Sequence, residues 1–341
     1  MSKPRYIFVL LIVPAIVGCQ GPLGPIFPVV STSIVWPQPP DQPRIRYIGE
    51  LRGESSLGAK PRGWEALRAI ATGPRQTVEF SRPAAIAVVE QRVFVADTGL
   101  GVVHLLDLDE RSYRLVRGAA PDPLQVPIDI VAKPDGTVAV VDRGRAAIDL
   151  LDLNGEWLST LRANELQAPT GIAWDARQNQ LWVVDVAAHA CFTWRDDDIV
   201  RRFGQRGGAA GQFNYPSAVA WHPLTGLVVA DAMNFRVQVF NDTTRPPVVF
   251  GQKGDAAGDF ARPRDVAVDS AGHIYVLDNQ FENVQIFDGD GRLLLAFGRG
   301  GQGPGEFALP SGITIDRQDR IWIADSYNRR IQVFQYLPED G

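Results

Sequence analysis

Residues 250–260 read FGQKGDAAGDF. Glycines beside a lysine suggest a phosphate cradle, in which main-chain N–H groups close on an anion and a helix follows. No Gly-Lys-Ser/Thr follows here, and the next residues, ARPRDVAVD, have strand character. The stretch also has sisters. FGQRGGAAGQF begins at Phe203 and FGRGGQGPGEF at Phe297, so the three copies start 47 residues apart. A single nucleotide site would not need three copies at a fixed interval, whereas a repeated fold would.

Aligning the chain to itself gives six copies of one unit. Each opens on a proline and a strand-like run, at Pro83, Pro127, Pro169, Pro216, Pro263 and Pro310, spaced 44, 42, 47, 47 and 47 residues apart. About a dozen residues later comes an apolar strand ending in an acid: Asp97, Asp142, Asp185, Asp231, Asp278 and Asp325. Third strands (VQVF, VQIF, IQVF) and fourth strands (VVF, LLLAF) follow. Asp135-Gly136, Asn154-Gly155 and Asp290-Gly291 supply hairpin turns. Four short strands repeated six times predict an all-β chain, a six-bladed β-propeller of four-stranded blades. The glycine stretch then links the outer strand of one blade to the inner strand of the next, its two phenylalanines pinning it between blades. The sixth copy stops at Phe334 after three strands, and Arg44–Leu51 (RIRYIGEL) is expected to supply the missing outer strand. The propeller is thus placed at 44–336, with an insert at 53–79 and a short tail at 337–341.

The strand-to-strand segments also match a named repeat. DAMNFRVQVF from Asp231 and DSYNRRIQVF from Asp325 resemble the NHL repeat, whose blades end D-x-x-N-x-R-[IV]-Q-V-F. DNQFENVQIF from Asp278 follows it with Asn283 in place of Arg. The first three blades keep the Asp and lose the Asn and Arg. The resemblance implies a bacterial NHL-type propeller that serves as a binding platform.

Length and composition fit a globular domain of 341 residues, 45% hydrophobic, with a net charge of −5. Such a balance offers nothing to nucleic acid. The two cysteines, Cys19 and Cys191, are too few and too far apart for a disulfide framework. Lys3 and Arg5 precede an apolar run from Tyr6 to Val17, too short to span a bilayer but right for a signal-peptide core. The ending Ile16-Val17-Gly18-Cys19 resembles a bacterial lipobox. Residues 1–18 are therefore expected to be a lipoprotein signal peptide and Cys19 the lipidated residue. Gln20, not Asp, follows the cysteine, which by that analogy favours the outer membrane. Residues 19–43 are rich in proline and are expected to be an extended tether that lifts the domain off the membrane.

Two residues after each repeat proline, the inner strands present Ala85, Asp129, Gly171, Ala218, Asp265 and Gly312 to the channel. Asp129 and Asp265 belong to opposite blades and are expected to hold a cation or a basic group of a partner between them. Arg264, Arg143 and Arg145 are expected on the same rim. The competing reading is that the two carboxylates bond to neighbouring backbone. Asp231 with Arg236, and Asp325 with Arg330, stand five apart across a turn, and their repetition argues for structural ion pairs over a substrate clamp. Four histidines (His104, His189, His222, His273) fall at different heights and ends of their blades and cannot readily converge on one ion. No metal site is expected, beyond a calcium ion at the channel. Catalytic residues are expected to be none: no GxSxG, HExxH or Ser-His-Asp order occurs.

These readings lead to a non-catalytic scaffold of the bacterial cell envelope that engages an envelope protein or polysaccharide. The alternative is a metal-dependent lactonase or lyase acting in the channel. A closed ring of this kind is expected to be monomeric. Cys19→Ser should release the protein from membranes. Retention of the variant in a salt-washed membrane fraction would overturn the lipobox reading.

Overall fold

A computed structural model describes residues 24–27, 34–59, 68, 71, 73, 75–195 and 198–338. Cys19, the segment 1–18 and the middle of the insert at 53–79 lie outside them. The chain is a β-propeller of six four-stranded blades arranged in a ring. Blade one runs Pro83–Val89, Arg92–Asp97, Val102–Asp107 and Ser112–Val116 from the channel outward. The inner strands of the other five are Pro127–Ala132, Pro169–Asp175, Ala218–His222, Pro263–Val268 and Gly312–Ile315. Every blade is antiparallel, and in blades one to five each strand pairs with its neighbours in sequence.

The burial pattern explains why the second strands read as unbroken apolar runs. Val138–Asp142, Gly226–Asp231 and Ile274–Asp278 are buried at every position, because adjacent blades cover both faces. The outer strands have one covered face and alternate, as Ser112–Val116 and Leu293–Phe297 do. Six core clusters result, one for each pair of adjacent blades. The sixth blade packs on the first through Trp322, Ala324, Ile331 and Val333 against Ile86, Val93, Val95 and Leu106. Each blade's apolar faces are covered only in the closed ring.

Closure uses the expected segment. Ile45–Leu51 pairs antiparallel with Arg330–Tyr336 and becomes the outer strand of blade six. The chain then goes one step further. Val35–Trp36 adds a fifth short strand beyond it, with Trp36 opposite Ile45. The Trp36 ring packs 5.8 Å from both Phe297 and Phe334. Phe27 lies edge-on to Trp322, at 6.1 Å between ring centroids. The described part of the tether is therefore not a free spacer: its aromatic and aliphatic side chains pack on the two core clusters that flank the closing blade. The insert is pinched at its base, where Gly53 and Glu79 form an antiparallel bridge.

The glycine stretches are stapled from within. Phe213, Phe260 and Phe307, which end the three copies, are fully buried. Each ring presses on the glycine after the copy's first phenylalanine; at Gly251 an added Cβ would stand 2.2 Å from the Phe260 ring, and its φ is +85°. Only glycine allows both the reversal and the contact.

A chain beginning at residue 52 loses the closing strand and exposes the edge of Arg330–Tyr336. Its melting temperature should fall by at least about 10 °C, or the chain should aggregate. An unchanged melting curve would show that closure lies elsewhere.

Candidate functional site

The channel is lined by the six inner strands. At the position two after each repeat proline the residues are Ala85, Asp129, Gly171, Ala218, Asp265 and Gly312, so the order Ala, Asp, Gly runs twice round the ring. Each Asp ties its blade to the next. Asp129 Oδ1 accepts its neighbour Ile130 N–H at 2.8 Å, and Oδ2 accepts Ile172 N–H of blade three at 2.7 Å. Asp265 does the same with Val266 N–H and with Ile313 N–H of blade six, both at 2.8 Å. The glycine that follows in the order has a steric cause: a Cβ on Gly171 would lie 2.9 Å from Ala218 Cα, and one on Gly312 2.2 Å from the Ala84 carbonyl.

Both carboxylates are held against ionisation. Burial, and then the charge of Asp265, raise the pKa of Asp129 well above the usual carboxylate range. Burial pushes Asp265 up to about 6, although the N–H groups of Ile313 and Val266 oppose it. The two residues form a waist. On one side lies a funnel of about 320 Å³ whose wall includes Trp174 and Trp221. Lys133 and Arg177 cover those two indoles at 5.1 and 5.8 Å. On the other side Arg264 projects toward a mouth cavity of about 970 Å³, lined also by Arg82, Arg329, Tyr327, Leu309 and Thr98. Among the described residues no carboxylate lines that cavity.

Arg143 is exposed at the mouth end, and its charge, with that of Arg262, bears on Arg264. Arg145 is not on the rim. It is 3% exposed, with Nε 2.7 Å from Asp142 Oδ2 and further contacts to Asp149 and Asp122. Two buried carboxylates on adjacent strands draw the guanidinium into the blade, where it does for blade two what Arg236 and Arg330 do elsewhere. Those two bond Asp231 and Asp325 through Nε at 2.8 Å. Arg236 then reaches the carbonyls of Gly208, Ala209 and Gln212, and Arg330 those of Gly303 and Glu306, fastening the glycine stretches.

A cation between Asp129 and Asp265 would find an unsuitable donor set. Every carboxylate oxygen already accepts a main-chain N–H, and Arg264 brings a positive charge. Among the described residues no three His, Cys, Asp or Glu side chains gather in a way that could hold a metal ion. His104 is buried between Asp97 and Tyr113, His189 accepts Tyr215 N–H, and His273 bonds Asp269. Cys191 is fully buried in a strand of blade three. Sequence reasoning missed the mouth arginines Arg82, Arg262 and Arg329. Their signal is faint: single arginines beside a repeat proline or a repeat turn, in different blades.

Comparison with known proteins agrees with this architecture. A family model described as a 6-bladed beta-propeller matches residues 270–337. No curated protein matches the chain. Among solved structures, a streptogramin B lyase superimposes with a TM-score of 0.56 at 13% identity, over 76% of this chain and 94% of that one. An auxiliary nutrient binding protein from Bacteroides thetaiotaomicron gives 0.60 at 14% identity, over 75% of this chain and 69% of that one. At such identities the likeness is one of fold.

The waist has a testable titration. Asp265 ionises near pH 6 in the fold and near pH 4 in an unfolded chain. The fold resists ionisation, so Asp265 costs stability progressively as pH rises from about 4 to about 6 and fully above that. Asp265→Asn removes this cost at the constant expense of one Ile313 hydrogen bond. Relative to wild type, the variant's stability should therefore improve by about 2 kcal/mol between pH 4 and pH 7. A difference that does not change with pH in thermal melts would overturn the assignment.

Proposed function

We propose that the chain is a non-catalytic binding propeller of the bacterial cell envelope, anchored by a lipid on Cys19, the outer membrane being favoured. In this reading it engages another envelope protein or a polysaccharide at its arginine-lined mouth. The observation that carries the proposal is the mouth itself: a roomy cavity of about 970 Å³ with arginines and hydroxyls in its wall and, among the described residues, no carboxylate. The ionisable groups deeper in the channel are tied to main-chain N–H groups and so serve to join neighbouring blades. Fold neighbours named as auxiliary nutrient binding proteins are in keeping with a binding role.

The described N-terminus adds an argument about display. The Gly24 carbonyl accepts a bond from Arg111 at 2.6 Å. Arg111 lies in the turn between the third and outer strands of blade one, the end of the ring opposite the mouth. Four residues separate Cys19 from Gly24. Five steps of chain reach at most about 18 Å. A lipid on Cys19 would keep that opposite end near the bilayer and turn the mouth outward.

The test is site-specific photo-crosslinking in intact cells. A crosslinking amino acid at Tyr327, 74% exposed beside the mouth, should give a discrete adduct. One at Leu224, 69% exposed at the far end, should give none. Adducts at Leu224 alone, or no adduct at Tyr327, would overturn the proposal.

A further inference from the structure

Most arginines of this protein are spoken for. Arg52, Arg92, Arg114, Arg145, Arg236 and Arg330, among others, bond a carboxylate. Five at the mouth end differ: the guanidinium groups of Arg82, Arg143, Arg262, Arg264 and Arg329 make no hydrogen bond and no ion pair among the described residues. Topology brings them together. Arg82 and Arg262 stand just before the inner strands of blades one and five, and Arg264 is the second residue of the latter strand. Arg143 and Arg329 lie in the turns between second and third strands of blades two and six. In an antiparallel blade those turns share the end at which the inner strands begin. Five arginines whose guanidinium groups have no direct partner thus gather at one opening of a chain whose net charge is −5.

Such an arrangement is costly without a counter-charge. Arg264 is the sharpest case. It lies in the channel between the waist and the cavity, and burial together with Arg262 and Arg143 disfavours its charge. Asp265 and Asp129 are near enough to favour it, yet neither forms an ion pair with it; their oxygens are taken by Ile130, Ile172, Val266 and Ile313. A guanidinium has five donors in a planar fork and cannot lose its proton at ordinary pH. Its natural complement is the planar pair of oxygens of a carboxylate, or two oxygens of a phosphate.

We infer that the mouth is a receptor for an oxyanion: a carboxylate or phosphate group enters the cavity and is received by Arg264, with Arg82 and Arg329 on its flanks. This rests on the mouth being the binding end, and it names the ligand chemistry of that end. A ligand carried on an acidic saccharide and a free phosphate would present the same chemistry, so the experiment separates them.

Calorimetric titration of the full-length protein with trigalacturonate, with neutral galactotriose and with inorganic phosphate supplies the test. Trigalacturonate is expected to bind at least tenfold more tightly than galactotriose and to weaken as salt rises. Binding of phosphate alone, without the trisaccharide, would assign the receptor to free phosphate; both would assign it to the shared group. Arg264→Gln should lower affinity at least tenfold. Should that substitution in the channel impair folding, the double variant Arg82→Gln/Arg329→Gln, at two exposed positions, should still lower it severalfold. Equal binding of the neutral trisaccharide, no saturable binding of either anion, or unchanged affinity in the folded double variant would overturn the inference. The crosslinking result separates the two proposals. An adduct at Tyr327 with no anion binding sinks the receptor alone, and anion binding with no adduct sinks the partner reading alone.

Discussion

The structure depends on six buried carboxylates. Asp97, Asp142, Asp185, Asp231, Asp278 and Asp325 end the second strands and are wholly excluded from solvent. A buried charge is tolerated only where donors surround it. In blades one, two, three and five four main-chain N–H groups donate, as Ser81, Arg82, Gly99 and Leu100 do to Asp97, joined by His104 in blade one and by the Arg145 side chain in blade two. In blades four and six one main-chain N–H remains, and Asn, Arg and Gln side chains provide the rest: Asn234, Arg236 and Gln238 around Asp231, Asn328, Arg330 and Gln332 around Asp325. The same carboxylate therefore fixes two things at once, the turn after its own strand and the entry into the inner strand. That is why the Asp recurs in every blade while the residues around it vary.

This bears on what could be read from the chain. The fold was legible because an Asp at a constant place, a proline at a constant place and apolar runs between them repeat six times. The closing strand was legible because blade six visibly lacked one. Arg145 misled because its register is unlike that of Arg236: it follows its Asp by three residues, not five, and the repeat alignment gave no reason to pair them. The docking of Trp36 and Phe27 was hidden by composition, since prolines announce an extended chain but not what it lies against. Apolar residues between those prolines were the available signal.

The candidate site was legible only in part, for a physical reason. Asp129 and Asp265 could be placed in the channel because they occupy a repeat position. That two oxygens of each would be taken by main-chain N–H groups depends on how closely the next blade approaches, which the Gly171 and Gly312 contacts show and the repeat spacing does not. Among the mouth arginines only Arg82 and Arg262 share a repeat position, just before the proline; Arg143, Arg264 and Arg329 each occupy another. They become neighbours only when blade six meets blade one, so the feature is a property of the closed ring and of no blade within it.

Scaffold and site thus divide the charged residues between them. Acids are drawn inward, where main-chain N–H groups of turns and strand entries need acceptors, and each one buried removes a negative charge from the surface of its blade end. Arginines that meet such an acid are drawn in with it, as Arg145 and Arg330 are. Those that do not are left at the same end with their guanidinium forks unbonded. The arrangement that closes the propeller therefore also leaves free arginine donors at one opening, and a new arginine in a second-to-third-strand turn would add to the opening or to the framework according to whether its fork can reach the blade's own Asp.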